Sequence, residues 1–144
     1  MQLEYFHLID RIVDLDIGEK KIVVEAQVPK QNTIFEGHFP GYPLMPGVLL
    51  IEAMAQASGW LLLGLLKFER MPILAAVKEA KVRGSVFPGD LITIEAGLSH
   101  EGSGFAVTRT VRNSGFMSLQ NKYITSCSRN PVSRNVENSA RSES

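Results

Sequence analysis

The chain has 144 residues and only one cysteine, Cys127, so it cannot form an intrachain disulfide. A lone cysteine suits a reducing compartment, and we expect a cytoplasmic protein. An excess of charge of one sign is also lacking. Fifteen Lys and Arg balance fifteen Asp and Glu, so no global field indicates nucleic acid or an anionic membrane as a partner. The first residues lack a basic flank followed by an apolar stretch, and we therefore expect no signal peptide.

Motifs for metals and nucleotides are scarce as well. His7 and His100 have no carboxylate or cysteine cluster around them at metal-ligand spacing, so we assign no metal to either. The sequence contains no phosphate-cradling glycine motif and no serine-nucleophile elbow. The sequence therefore indicates no metal site at these two histidines, no nucleotide-binding loop and no serine-hydrolase site.

One apolar run, residues 48–66, approaches the length of a bilayer span. It carries Glu52 and Gln56, and a carboxylate inside a membrane span is costly. We therefore predict a buried helix from Pro46 to about Lys67, with Pro46 as its first residue. We place Trp60 and the leucines after it in the core. Because the helix is apolar on nearly every side, another element must wrap around it.

The rest of the chain is strand-like. In "KIVVEAQV" and "LITIEAGL" the apolar residues alternate with polar ones, which indicates half-buried strands. "ILAAVKEAKVRG" and "FAVTRTVR" are two more, and the turn-rich "SHEGSG" joins the last pair as an antiparallel hairpin. "FHLIDRIVDLDIG" is a strand or short helix, residues 29–46 are a loop, and "GFMSLQNKYITS" is a weakly patterned strand.

These elements predict an α+β fold in which five or six antiparallel strands wrap around one helix. One sheet leaves a flank of the helix uncovered, so we expect a dimer. We assign residues 1–127 to a single domain. Residues 128–144, rich in Ser, Asn and Arg, are expected to form a disordered polar tail.

The candidate chemistry lies in "FEGHFPGYPLMPGVLLIEAMAQ", residues 35–56. Glu52 and Gln56 share a helix face, and His38 precedes Glu52 by fourteen residues, so the two could form an acid–base pair. The amides of Gly47 and Val48 lie at the helix start and could hold a carbonyl oxygen. The alternatives are that His38 is a turn residue and that Glu52 is paired structurally. We expect Gln56 to orient Glu52.

Four blocks carry a resemblance: "LIDRIVDLD", "FEGHFPG", "MPGVLLIEAMAQ" and "KEAKVRGSVFPGD". Over residues 6–112 the chain resembles the FabZ-type (3R)-hydroxyacyl-acyl carrier protein dehydratases of bacterial fatty-acid synthesis. Residues 113–144 do not share that resemblance. The resemblance implies a hot-dog fold, a curled antiparallel sheet around one long central helix. It also implies a homodimer, which in this family often assembles as three dimers in a hexamer.

The resemblance further implies roles for individual residues. His38 matches the catalytic histidine and Glu52 the catalytic acid, which in the family meet across the dimer interface. Gly47 matches the glycine whose amide binds the thioester carbonyl. No cofactor is implied, because every step is a proton transfer. Related isomerising dehydratases carry aspartate and cysteine at the positions of Glu52 and Val48, so those two residues favour simple dehydration.

The acyl chain is expected in an apolar tunnel between protomers, lined by Phe35, Phe39, Val48 and Phe87. Lys81 and Arg83 either meet the acidic carrier protein or are ordinary solvated charges. The expected activity is a hydro-lyase acting on acyl carrier protein thioesters, without nucleic acid or membrane insertion. Two alternatives remain: a hot-dog acyl thioesterase, and a non-catalytic module that binds acyl thioesters.

Overall fold

The computed structural model describes residues 1–112 and 117–125. A 3-10 helix, Leu3–Tyr5, precedes six strands: β1 Arg11–Asp16, β2 Lys21–Gln27, β3 Ile73–Val82, β4 Leu91–Gly102, β5 Phe105–Arg112 and β6 Met117–Ile124. Two helices, α1 Thr33–Gly37 and α2 Gly47–Leu65, lie between β2 and β3. The predicted boundary between residues 127 and 128, the tail and Cys127 lie outside the described residues.

The six strands form one antiparallel sheet in the order β1-β2-β4-β5-β6-β3. The predicted hairpin is confirmed, since β4 pairs with β5 down to Gly102 opposite Phe105. A two-residue turn closes it, and Gly104 adopts a positive φ of 78° there, a conformation that glycine permits. Strands β1 and β3 form the two edges of the sheet.

Helix α2 lies against one face of the sheet and contacts β2, β3, β4, β5 and β6. Ile22, Val24 and Ala26 of β2 face Ala96, Ile94 and Ile92 of β4 in register, and all six are buried. Their alternation with polar residues is the period-two pattern of a sheet with one buried face. With Leu50, Ala53, Met54, Ala57 and Leu61 of α2 they form the main core. The architecture is the predicted hot-dog fold.

The predicted boundaries need three corrections. Residues 33–37 are helical rather than loop, because Asn32 caps α1 by accepting a hydrogen bond from the Ile34 amide at 3.0 Å. Pro46 is the residue before α2 and not its first helical residue, since its ψ of 132° is extended. The helix ends at Leu65 instead of Lys67.

Strand β6 is regular, although its sequence pattern is weak. Met117, Leu119, Asn121 and Tyr123 are buried and alternate with half-buried neighbours. The pattern is weak because two of the inward side chains, Asn121 and Tyr123, are polar. A polar cluster therefore lies between the sheet and α2, where Ser58 Oγ is 2.8 Å from Thr110 Oγ1 and accepts from Thr108 Oγ1 at 2.9 Å.

Among the described residues, α2 is also the only helix whose length and composition would allow it to cross a membrane. The same test is passed by core helices of soluble proteins. Eight of its residues are buried within the chain, from Leu50 to Leu62. This burial confirms the prediction that another element wraps around the helix.

Candidate active site

His38 lies immediately after α1 and is held by the backbone on both sides. Its amide donates to the Ile34 carbonyl at 3.0 Å, and its carbonyl accepts from the Leu44 amide at 2.9 Å. Its ring is half-buried and stacks on Phe39 with 4.1 Å between centroids. Nδ1 is 2.9 Å from the Leu44 carbonyl oxygen. Because a carbonyl can only accept, Nδ1 carries the hydrogen, and Nε2 of the neutral ring is left able to take up a proton.

Glu52 lies in the second turn of α2, and its neighbour along the helix holds its carboxylate. Gln56 Nε2 donates to Glu52 Oε1 at 3.1 Å and to the Phe6 carbonyl at 2.8 Å. Gln56 Oε1 in turn accepts from the Leu8 amide at 3.1 Å. One amide side chain thus joins the candidate acid to the segment before β1.

The start of α2 provides the third component. No side chain caps it, and the first helical amides, those of Gly47 and Val48, have no acceptor within the helix. A Cβ added at Gly47 would meet nothing within 4 Å, so a ligand can approach this amide closely. The Met45 amide donates to the Val86 carbonyl at 2.8 Å, which fixes the helix start against the segment after β3. The site can therefore hold an oxyanion with backbone donors and a helix dipole.

Within one chain these components do not all meet. In residues 1–112 and 117–125, no hydrogen bond or ion pair joins His38 to Glu52. Glu52 and Gln56 line an open cavity of about 420 Å³. His38 does not line that cavity. The structure thus brings Glu52 and Gln56 together and leaves His38 apart from them.

The predicted tunnel residues divide into two groups. Phe39, Val48 and Phe87 are 50%, 71% and 40% exposed. Tyr42 packs edge-on against Phe87 at 6.0 Å and extends this apolar surface. Phe35 instead is buried and belongs to the main core. Lys81 and Arg83 are exposed at the end of β3.

One expectation was wrong. Trp60 is not a core residue, since 42% of it is exposed, and it lines the cavity that contains Glu52. The sequence spacing could have indicated the position of Trp60 beside Glu52. Trp60 follows Glu52 by eight residues and Gln56 by four, which places all three along one side of the helix.

The sequence also gave no indication of the polar contacts behind the helix. The hydroxyl of Tyr123 donates to the Ala55 carbonyl at 2.7 Å, one turn from Glu52. Burial raises the pKa of Tyr123 well above its ordinary value, and the charge of Glu52 adds to this shift. The phenol therefore stays neutral and ties β6 to the helix segment that carries the carboxylate.

Residues 1–114 of the chain match the family model of the FabA-like domain. The chain is 47% identical over 89 residues to the 3-hydroxyacyl-[acyl-carrier-protein] dehydratase FabZ of Clostridium acetobutylicum, covering 61% of this chain and 62% of that protein. It is 40% identical over 97 residues to the FabZ of Chlamydia trachomatis, covering 65% and 63%. The matches thus span somewhat less than two thirds of these relatives' length.

Solved structures share the fold. A hypothetical thioesterase from Streptococcus pneumoniae, solved with coenzyme A, superposes with a TM-score of 0.63 at 15% identity over 83% of this chain and 90% of that one. The PaaI protein of Escherichia coli gives 0.62 at 19% identity over 83% and 80%. At these identities the likeness concerns the fold alone.

Proposed function

Because the chain belongs to the FabA-like domain family, we propose that it dehydrates (3R)-hydroxyacyl thioesters of acyl carrier protein to trans-2-enoyl thioesters in fatty-acid synthesis. The main support for the proposal is the presence of a candidate base and a candidate acid. Nε2 of His38 is left able to accept a proton, and Glu52 is held by Gln56 in an open cavity. The FabZ relatives are named for the same reaction.

The elimination needs one base, one acid and one stabiliser of negative charge. His38 Nε2 removes a proton from C2, next to the thioester carbonyl. The Gly47 amide at the start of α2 donates to the carbonyl oxygen and stabilises the negative charge that develops on it. Protonated Glu52 delivers its proton to the C3 hydroxyl, and the C3–O bond breaks to release water. The electron pair from the C2–H bond forms the C2=C3 double bond, so no redox cofactor is needed.

We propose that the active unit is a homodimer with each site shared between protomers. Three observations support this: His38 and Glu52 do not meet within one chain, Phe39, Val48 and Phe87 expose apolar surface around the helix start, and edge strand β3 exposes Ile73, Leu74, Val77 and Val82. Exposed apolar surface and unpaired strand edges are the features that association covers. Phe39, Val48 and Phe87 would then line the acyl tunnel, with Phe35 supporting them from the core. Assembly of three such dimers would give the family's hexamer.

The remaining parts of the proposal concern the carrier and the location. Lys81 and Arg83 stand exposed beside the segment that reaches Phe87, where an acidic carrier protein could dock. Electrostatic complementarity of this kind raises association rates more than affinity. The lone cysteine and balanced charge fit a cytoplasmic enzyme.

The test is turnover of a 3-hydroxyacyl carrier protein by the wild type, His38→Ala and Glu52→Gln, with enoyl product and free thiol measured in the same reaction. We expect enoyl product from the wild type and losses of about 10²–10⁴-fold in each variant, the range of acid–base catalysis. Free thiol without enoyl product would assign a thioesterase. Tight binding without either product would assign a binding module.

A further inference from the structure

The cavity that contains Glu52 holds a second ionisable side chain, that of His7. His7 is exposed and lines the cavity from the segment before β1. The other residues that line it, from Phe6 to Leu74, carry no ionisable group. Within the described part of the chain, a carboxyl group and an imidazole therefore share one largely apolar cavity.

The backbone fixes the position of His7. Its amide donates to the Gln2 carbonyl at 3.0 Å, and its carbonyl accepts from the Gln2 amide at 2.8 Å. Its two neighbours are held by Gln56, since the Phe6 carbonyl accepts from Nε2 and the Leu8 amide donates to Oε1. Hydrogen bonds thus hold His7 itself and the residue on each side of it.

The same glutamine places Glu52. Gln56 Nε2 donates to Glu52 Oε1 at 3.1 Å as well as to the Phe6 carbonyl at 2.8 Å. Phe6 adopts a left-handed conformation with a φ of 58°, which is unfavourable for residues other than glycine. A strained residue persists where surrounding contacts hold it, and the hydrogen bond to Gln56 is such a contact. One side-chain amide therefore positions both Glu52 and the segment that carries His7.

The charged groups close to His7 along the chain have partners of their own: the Met1 amino group pairs with Asp10, Glu4 with Asn32, and Arg11 with Glu25. Behind α2, Tyr123 donates to the Ala55 carbonyl and stays neutral. Among the described residues, Glu52 and His7 are thus the two groups of this cavity that can exchange a proton.

Each turnover of the proposed reaction leaves Glu52 ionised and His38 protonated, so Glu52 must regain a proton before the next one. A glutamate side chain is mostly ionised at neutral pH, whereas a histidine side chain gains and loses a proton there. We propose that His7 supplies this proton to Glu52 through the cavity that they share. This inference rests on the proposed function.

In the transfer, the N–H bond of the His7 imidazolium breaks, an O–H bond forms on the Glu52 carboxylate, and the electron pair stays on the ring. When substrate excludes water from the cavity, two neutral groups are favoured over two charged ones, so the proton moves toward Glu52. His7 then takes up a proton from solvent, and His38 returns one to solvent. His7 acts through Glu52 and does not touch the reacting atoms.

The first test is independent of activity. The titration of the His7 imidazole is followed by NMR in the wild type and in Glu52→Gln, with His7→Gln used to assign the signals. An anionic neighbour favours the protonated imidazole, so Glu52→Gln should lower the midpoint of the His7 titration by about 0.5 pH units or more. His100 contacts Phe105 outside the cavity and should keep its midpoint. An unchanged His7 midpoint would overturn the proposal.

The second test is kcat and KM for His7→Ala and His7→Gln, with His100→Ala as the matched control. We expect both His7 variants to lower kcat by about tenfold or more with little change in KM, and added imidazole to restore His7→Ala. His100→Ala should keep the wild-type kcat. Full kcat in His7→Gln, or a loss in His7→Ala that imidazole does not restore, would refute the proton supply. A wild type without enoyl product would instead refute the proposed function, and the titration would still decide whether the two groups interact.

Discussion

Replacing Gln56 with leucine should destabilise the fold, because this side chain joins three separate parts of the site. Gln56 donates to Glu52 and to the Phe6 carbonyl, and it accepts from the Leu8 amide. Leu8 is fully buried, so its amide would be left without a partner. An unsatisfied buried donor costs about 1–3 kcal/mol, and each further lost hydrogen bond about 1 kcal/mol.

The expected total is a loss of about 2–4 kcal/mol in the free energy of unfolding. For a domain of this size that corresponds to a fall in Tm of roughly 5–15 °C. Denaturant unfolding and calorimetry measure both quantities. Turnover should also fall, because the Glu52 carboxylate loses the amide that holds it.

Gln27→Leu is the matched control. Gln27 also makes two hydrogen bonds through its amide nitrogen, to the carbonyls of Gly89 and Asp90, but it is exposed. Water can replace those bonds, so we expect a loss below about 1 kcal/mol. If Gln56→Leu costs no more than Gln27→Leu, the structural account of Gln56 is wrong.

Three further predictions concern buried polar groups and the helix start. Burial raises the pKa of Tyr123, so the folded state keeps the phenol proton after the unfolded state has released it. The free energy of unfolding should therefore fall above about pH 10, by up to about 1.4 kcal/mol per pH unit. In alkaline denaturation, Tyr123→Phe should remove this part of the pH dependence. Asn121 is fully buried, and neither polar atom of its side chain has a hydrogen-bond partner among the described residues. Asn121→Leu should therefore raise the free energy of unfolding by about 1 kcal/mol in urea titrations. A fall of similar size in the free energy of unfolding would show that the amide does have hydrogen-bond partners. Gly47→Ala should leave stability within about 0.5 kcal/mol, since its Cβ meets nothing in the chain, while kcat/KM falls; an unchanged kcat/KM would remove this amide from the mechanism.

The sheet and the central helix could be predicted because their patterns are local. Ile22, Val24 and Ala26 alternate with polar residues, and the apolar run after Pro46 has the length of one long helix. Strand β6 was harder to predict from the sequence, because Asn121 and Tyr123 face inward and interrupt the apolar alternation. Their burial depends on Ser58 and Thr108, which come from distant parts of the chain.

The site was predictable only in part for the same reason. The residues His38, Glu52 and Gly47 could be selected from the sequence motif and its resemblance. The contacts of Gln56 with Phe6 and Leu8 join residues about fifty positions apart, and no local pattern indicates them. Trp60 was assigned to the core because its neighbours are leucines, yet a helix against a single sheet leaves one side open. The exposed side holds Trp60 and the cavity.

The most direct test of the account is complementation between two inactive variants. His38→Ala and Glu52→Gln are mixed under conditions that allow dimers to exchange, and enoyl formation is measured. If each site takes His38 from one protomer and Glu52 from the other, half of the dimers become mixed and each regains one intact site, which restores about a quarter of wild-type activity. If both residues act within one chain, no mixed dimer contains an intact site, and activity that stays at the level of the separate variants would contradict the shared site.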